Sequence, residues 1–387
     1  MKGTAMLPAP PPIAVEERKA RLRALTASMG EAGLAAVLLG PTTGLRYFTG
    51  IAWHPSERFT GALVHADGAL EYVCPGFERD KVGGLVTLPG EMLTWEEDEE
   101  PSALIAARVT GALGLDDQMA LFFYRALAGR MDPARLADAG PLINALRRRK
   151  SKAELALMQH AKNVTLEAQR RAWKSLVPGV RASEVEAFID RTHRELIGAG
   201  NTFCIVSFGE DTSLPHGGET DRRLARGDVV LIDTGTQADG YNSDITRTYV
   251  FGEPTAEMRR VWAAEQRAQA AAFVAARPGA ACESVDAAAR ASLVADGFGP
   301  GYRLPGLPHR TGHGIGLDVH EAPNLVRGDG TPLAPGMCFS NEPMIVVPGK
   351  FGVRLEDHFH MTETGPRWFT EPSASIDEPF KGVAAIG

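Results

Sequence analysis

Along the first third of the chain the hydrophobic pattern changes type repeatedly. Val15 to Glu31 mixes charged and apolar positions at helical spacing and predicts an amphipathic helix. The apolar run Ala35-Ala36-Val37-Leu38-Leu39 predicts a strand, as do Gly61-Ala62-Leu63-Val64, Leu70-Glu71-Tyr72-Val73 and Met119-Ala120-Leu121-Phe122-Phe123. Ser102 to Ala112 predicts another helix. Alternation of this kind predicts a small α/β domain over residues 15–146, after a proline-rich tail at 1–14. The five consecutive acids Glu96 to Glu100 fit a solvated face and need no function.

The basic run Arg147-Arg148-Arg149-Lys150 marks a boundary, with the second domain expected at 147–387. Ser151-x-x-Glu154 is a capping box that opens a long helix, one face of which is marked by Leu157, Ala161, Val164, Ala168 and Ala172. A second capping box, Ser183-x-x-Glu186, predicts a helix ending near Gly198. Apolar strands follow at Val229 to Ile232 and Tyr241 to Phe251. Two more helices are expected at Thr255 to Ala276 and Glu283 to Ala295, then strands at Met337 to Val347 and Gly352 to Met361. Two helices and a hairpin, twice over, predict pseudo-symmetric halves around one site.

Composition narrows the function classes. A chain of 387 residues exceeds one ordinary core, which fits two domains. The 41 basic against 48 acidic residues give a net charge of -7, which disfavours a nucleic-acid partner. The four cysteines, Cys74, Cys204, Cys282 and Cys338, show neither zinc-ribbon nor disulfide-framework spacing and suit a reducing compartment. No apolar run reaches membrane-spanning length and the N-terminus has no apolar signal core, so a cytoplasmic protein without a membrane partner is expected.

The chemistry lies in the hairpins. Asp233 and Asp244 are eleven residues apart about a turn beside Gly240, and Glu342 and Glu356 are fourteen apart about Pro348-Gly349-Lys350. Each pair should face across its strands, at a Cβ separation of about 4.5–5.5 Å. Asp233 follows Val229-Val230-Leu231-Ile232, a run that reads as buried on both faces. Carboxylates so close in apolar strands repel one another and lose hydration, and divalent cations remove both penalties. Four such acids can hold two metals about 3.5–4 Å apart. Nitrogen donors are at hand, because His309, His313 and His320 fall within twelve residues, and His216 occupies a turn-rich loop. An oxygen-rich set suits manganese first, with zinc, cobalt or iron as alternatives.

Asp233-Thr234-Gly235, Gly240 to Thr248, Gly312-His313-Gly314-Ile315-Gly316, Asn341-Glu342-Pro343 and Arg354-Leu355-Glu356-Asp357 together resemble the pita-bread metallopeptidases. The resemblance is strongest to the proline peptidases, Xaa-Pro dipeptidases (prolidases) and aminopeptidases P. It spans roughly Ser151 to Gly365, and the first domain resembles the family's creatinase-like N-terminal domain. The resemblance implies an α/β (α+β) chain with a C-terminal pita-bread catalytic domain. It implies Asp233 on one metal, His313 and Glu342 on the other, and Asp244 and Glu356 bridging. It further implies that Glu342 accepts the proton of a water between the metals, whose hydroxide attacks the scissile carbonyl. His320 would stabilise the oxyanion, and His216 would position substrate or transfer a proton. Thr246 and Arg354 would support the ligands, and His309 would line the pocket.

The family often has tyrosine where this chain has Val346, so a hydroxyl is missing or supplied elsewhere, with Tyr241 as the nearest candidate. Arg327 lies near where prolidases place a carboxylate-binding arginine, which favours Xaa-Pro dipeptides as substrates. The alternatives are an aminopeptidase P acting on longer Xaa-Pro-Xaa peptides, or a small-molecule hydrolase of the creatinase or ectoine hydrolase type. The family also implies a homodimer, for which Trp53-His54-Pro55-Ser56 is the candidate contact loop.

Overall fold

In the computed structural model, which describes residues 6–386, the early apolar runs pair into one mixed sheet. Its strands are β1 (Leu34–Leu39), β2 (Gly61–His65), β3 (Leu70–Pro75), β4 (Glu91–Trp95), β5 (Ala112–Leu115) and β6 (Leu136–Asp138), in the order β4-β3-β2-β1-β5-β6. The centre is antiparallel and both flanks are parallel. Helices α1 (Val15–Ala32), α2 (Thr43–Thr49), α3 (Arg79–Leu85), α4 (Pro101–Arg108), α5 (Leu121–Ala128) and α6 (Gly140–Arg147) connect and flank the strands. One core joins Leu38, Leu63 and Val73 of the sheet to Ile105, Phe123 and Leu127 of the helices.

The strand expected at Met119 to Phe123 is not formed, and its residues lead into α5 instead. Phe123 and Leu127 are four apart and buried, whereas Leu121, Phe122 and Tyr124 are exposed. That is helical periodicity, and a five-residue apolar run is too short to reveal it. Trp53 packs locally, its ring lying 4.4 Å from the Lys81 ammonium.

The chain divides at Arg147/Arg148, and the described residues up to Pro12 belong with the second unit, not to a separate tail. The Leu7 N–H donates to the Leu196 carbonyl at 3.0 Å. The second unit begins with α7 (Lys152–Ser175) and α8 (Ala182–Ile197), followed by β7 (Phe203–Phe208), β8 (Val229–Gly235), β9 (Gln237–Ala238), β10 (Tyr241–Asn242) and β11 (Ile245–Val250). It continues with α9 (Ala256–Ala275), α10 (Cys282–Ala295), β12 (Gly312–Gly314), β13 (Glu321–Leu325), β14 (Cys338–Asn341), β15 (Met344–Val347), β16 (Phe351–Arg354), β17 (Asp357–Thr362) and β18 (Gly365–Trp368). Ser151 and Glu154 form the expected reciprocal cap of α7. The cap of α8 lies two residues earlier than expected, where the Glu184 carboxylate accepts from the Arg181 N–H at 2.8 Å. Ser183 is occupied instead with Asp221, through both its N–H and its hydroxyl.

The two halves share a device. Gln169 of α7 donates to the Ile232 and Ile245 carbonyls of the first hairpin. Gln269 of α9 donates to the Asn341 and Leu355 carbonyls beside the second. Each long helix is thus tied to the backbone that carries a pair of acids. Among the described residues all four cysteines are free, with Cys74, Cys282 and Cys338 buried. No described helix is long and apolar enough to cross a membrane.

Candidate metal centre

The first hairpin turns through Asp239 and Gly240, at φ 45° and 82°. Positive φ at both central residues is the twist-matched tight turn that Asp-Gly favours. This fixes the register one position later than the sequence spacing implies. Asp233 pairs with Thr246, and Asp244 lies diagonally from Asp233 on the same face. The expected direct opposition of the two aspartates is therefore replaced by a diagonal one, still within reach of a common ligand.

In the second hairpin Met344 pairs with Arg354, and Asn341 pairs with Asp357 in the adjoining ladder. Both pairs share one register, so Glu342 and Glu356 lie opposite each other in the gap between the ladders. The hairpins are joined there by a bridge between Thr246 and Glu356. The Thr246 hydroxyl donates to Glu356 Oε2 at 2.7 Å. Arg354 reaches back to Asp233 Oδ2 at 2.5 Å and also donates to Thr246 Oγ1 and the Pro215 carbonyl.

His313 is brought in by β12, where Gly312 runs against β14. A Cβ at Gly312 would collide with the Ser340 carbonyl oxygen, so no side chain fits. The His313 Nδ1 faces the Gly314 carbonyl at 2.9 Å, which orients the ring and turns Nε2 toward the acids. That Nε2 lies 3.1 Å from Glu342 Oε1 and 3.7 Å from Asp244 Oδ2. The His320 ring stands edge-on to His313, with centroids 4.2 Å apart. His309 holds the Arg310 carbonyl through Nδ1, and its buried Nε2 has no hydrogen-bond partner. His216 is exposed on its loop, and its charge acts on His320.

Electrostatics divide the four acids. Burial pushes Asp233, Asp244 and Glu356 upward, and mutual repulsion pushes Asp244 and Glu356 furthest. Burial also raises Glu342, but the hydrogen bond and charge of His313, with His309 and Arg354, outweigh it and hold the group below its usual range. Burial and His313 push His320 down to about 4. Three buried carboxylate oxygens, Asp233 Oδ1, Asp244 Oδ1 and Glu356 Oε1, have no hydrogen-bond partner. A buried acceptor without a donor is costly, and cations satisfy all three at once. Donor atoms of Asp244, His313 and His320 lie within 4.8 Å of one another, as do those of His313, Glu342 and Glu356. The residues present therefore fit a divalent metal pair.

Other expected residues are placed differently. Arg327 is exposed beyond β13, with no hydrogen bond or ion pair among the described residues. Besides Arg354, a cation that acts on this region is Arg310, which raises no flag in the sequence pattern. Its guanidinium donates to Asn324 Oδ1 at 2.9 Å, and its charge bears on both His309 and His320. Tyr241 directs its hydroxyl to Glu154 Oε1 at 2.9 Å, so it does not stand in for the tyrosine that Val346 replaces. A further residue was missed. His358 is fully buried, and a ring nitrogen lies 3.9 Å from Glu356 Oε1. Its signal was its position two residues past Glu356, on the same strand face. Lys162 of α7 is buried nearby, and desolvation lowers its ammonium to about 8 despite the charges of Asp244 and Glu356.

Comparison with known proteins agrees with this geometry. The model of metallopeptidase family M24 matches residues 156–363, and that of the creatinase/prolidase N-terminal domain matches residues 21–149. The chain is 36% identical over 358 residues to "Probable dipeptidase PepE" of Mycobacterium tuberculosis, covering 89% of this chain and 92% of that protein. It is 33% identical over 352 residues to the Xaa-Pro dipeptidase of Lactobacillus helveticus, covering 88% and 94%. The crystal structure of dipeptidase PepE from Mycobacterium ulcerans superposes with a TM-score of 0.86 at 34% identity, over 93% of this chain and 97% of that one. The expected α/β architecture, a creatinase-like domain followed by a pita-bread domain, is the one observed. The chain is a metallopeptidase and belongs to metallopeptidase family M24.

Proposed function

We propose that the chain hydrolyses the peptide bond before proline in Xaa-Pro dipeptides, using two divalent metals, manganese first among them. The observation that carries this reading is the buried box of Asp233, Asp244, Glu342 and Glu356 with its three orphaned oxygens, next to the inward-facing Nε2 of His313. The similarity to the Lactobacillus helveticus Xaa-Pro dipeptidase supports the substrate class. Asp233, Asp244, Glu342, Glu356 and His313 would hold the metals. Bound there, the pair would polarise the scissile carbonyl and acidify water at neutral pH.

The chain's own residues do the rest. Ser340 Oγ donates to Glu342 Oε1 at 3.0 Å, which orients the carboxylate and leaves Oε2 to accept a proton. His320, neutral at physiological pH, donates an N–H to the developing oxyanion. His216 on its exposed loop positions the substrate or returns a proton, and His309 lines the pocket. Arg354 and Thr246 fix Asp233 and Glu356. Arg310 is better placed than Arg327 to meet a substrate carboxylate, because it is the arginine that acts on His309 and His320. A homodimer in the cytoplasm completes this reading, the former testable by light scattering.

The experiment is a metal-stripped chain reconstituted with manganese, zinc or cobalt and assayed on Xaa-Pro dipeptides and Xaa-Pro-Xaa tripeptides. Hydrolysis of dipeptides in preference to tripeptides is expected, with Arg310→Ala raising KM for dipeptides and Arg327→Ala leaving it unchanged. A preference for tripeptides would assign the aminopeptidase P alternative instead. Hydrolysis of neither would reopen the small-molecule hydrolase reading.

A further inference from the structure

Beneath the bridging acids the structure holds a group that the five-ligand set leaves without a task. His358 lies in β17, two residues past Glu356, while the intervening Asp357 turns away to pair with Arg247. The strand alternation therefore directs His358 to the side of Glu356. The residue has 0% of its surface exposed, and neither ring nitrogen has a hydrogen-bond partner. A buried imidazole ordinarily finds at least one partner. Donor atoms of His358, Asp244 and Glu356 lie within 4.8 Å of one another. Asp244 Oδ1 and Glu356 Oε1 are themselves orphaned. Three buried, unpartnered groups thus converge on one point.

The spacing selects a ligand over a hydrogen bond. His358 Nε2 stands 3.9 Å from Glu356 Oε1, too far for a direct bond. Two donors on one ion at about 2.1 Å lie at most about 4.2 Å apart, and this separation fits. His313 keeps a similar 3.7 Å to Asp244.

We propose that His358 is a second imidazole ligand, binding the metal ion shared by Asp244 and Glu356. The proposal rests on the metal-pair reading above and adds a sixth protein ligand to it. A second nitrogen makes the donor set softer than four carboxylates and one histidine, moving its preference from manganese toward cobalt or zinc.

The test is cobalt K-edge X-ray absorption on the full chain, stripped and reloaded with two equivalents of Co2+, which counts imidazole rings by their multiple scattering. Wild-type protein should show one imidazole per cobalt on average. His358→Gln, with its fold checked by circular dichroism, should show half that count at unchanged cobalt loading. An unaltered count in His358→Gln would overturn the assignment and leave the metal pair standing. Failure of wild-type protein to bind cobalt would remove both readings. If His358→Gln does not fold or load, the count on His313→Ala/His320→Phe decides. Residual imidazole scattering there supports the ligand, and its absence rejects it.

Discussion

The two halves of the second unit are built alike and do different things. Each ties a long helix to its acid-bearing strands through one glutamine, Gln169 in the first and Gln269 in the second. The first hairpin sets its aspartates diagonally, and the position across from Asp233 is filled by Thr246. The second sets its glutamates in direct opposition and is joined by the histidine-bearing β12. Support passes crosswise, since Thr246 of the first half holds Glu356 of the second, while Arg354 of the second holds Asp233 of the first. The displaced register is thus what frees a hydroxyl to serve the opposite half. Neither half is a complete site, and each orients the other's acid.

The largest effect should come from removing a bridge between the halves. Asp244→Ala should abolish peptidase activity and drop metal content below two ions per chain. Full dinuclear occupancy in that variant by elemental analysis would show that the halves do not share ligands. Next, Arg354→Met leaves Asp233 buried without its cation. Breaking a buried pair in this way costs about 3–5 kcal/mol, to be read in urea denaturation of the metal-free chain. An unchanged midpoint would mean that the crosswise support has no energetic content.

An acid-sensitive element lies in the first half. His193 of α8 is fully buried, and desolvation takes it from 6.5 down to about 4. The unfolded chain binds a proton below pH 6.5 that the folded chain refuses until about pH 4. Stability is therefore complete above pH 6.5 and is lost as pH falls through that window, by about 3 kcal/mol in all. His193→Gln should flatten this part of the stability profile. If the wild-type and variant profiles stay parallel between pH 7 and 4, His193 is not the group responsible. The smallest effect separates the twin glutamines. Gln269 also reaches Asp357 Oδ2 at 3.3 Å, a contact Gln169 has no counterpart for. Gln269→Leu should then destabilise more than Gln169→Leu by about 1 kcal/mol. Equal losses would make the halves energetically symmetric.

Most of this arrangement was legible in the sequence, because strands with acids at fixed offsets have few ways to pair. The Pro348-Gly349-Lys350 turn located the second register correctly. The first was misplaced because the spacing was centred on the two aspartates; the Asp239-Gly240 dipeptide was the stronger signal. Arg310 belongs to no motif, and the place of His358 two residues past Glu356 tells only once the strand register is fixed. Met119 to Phe123 misled through a short apolar run that suits a strand or a helix equally.

The buried thiols offer a way to follow the unfolding of each unit. Burial pushes Cys74 up to about 11 and Cys282 and Cys338 up to about 12. Only the thiolate reacts with alkylating reagents, so these side chains are masked while the chain is folded and exposed once it opens. Cys74 lies in the first unit, Cys282 and Cys338 in the second. Pulsed alkylation followed by peptide mass spectrometry would therefore time the opening of each unit separately in a single sample, with no label introduced.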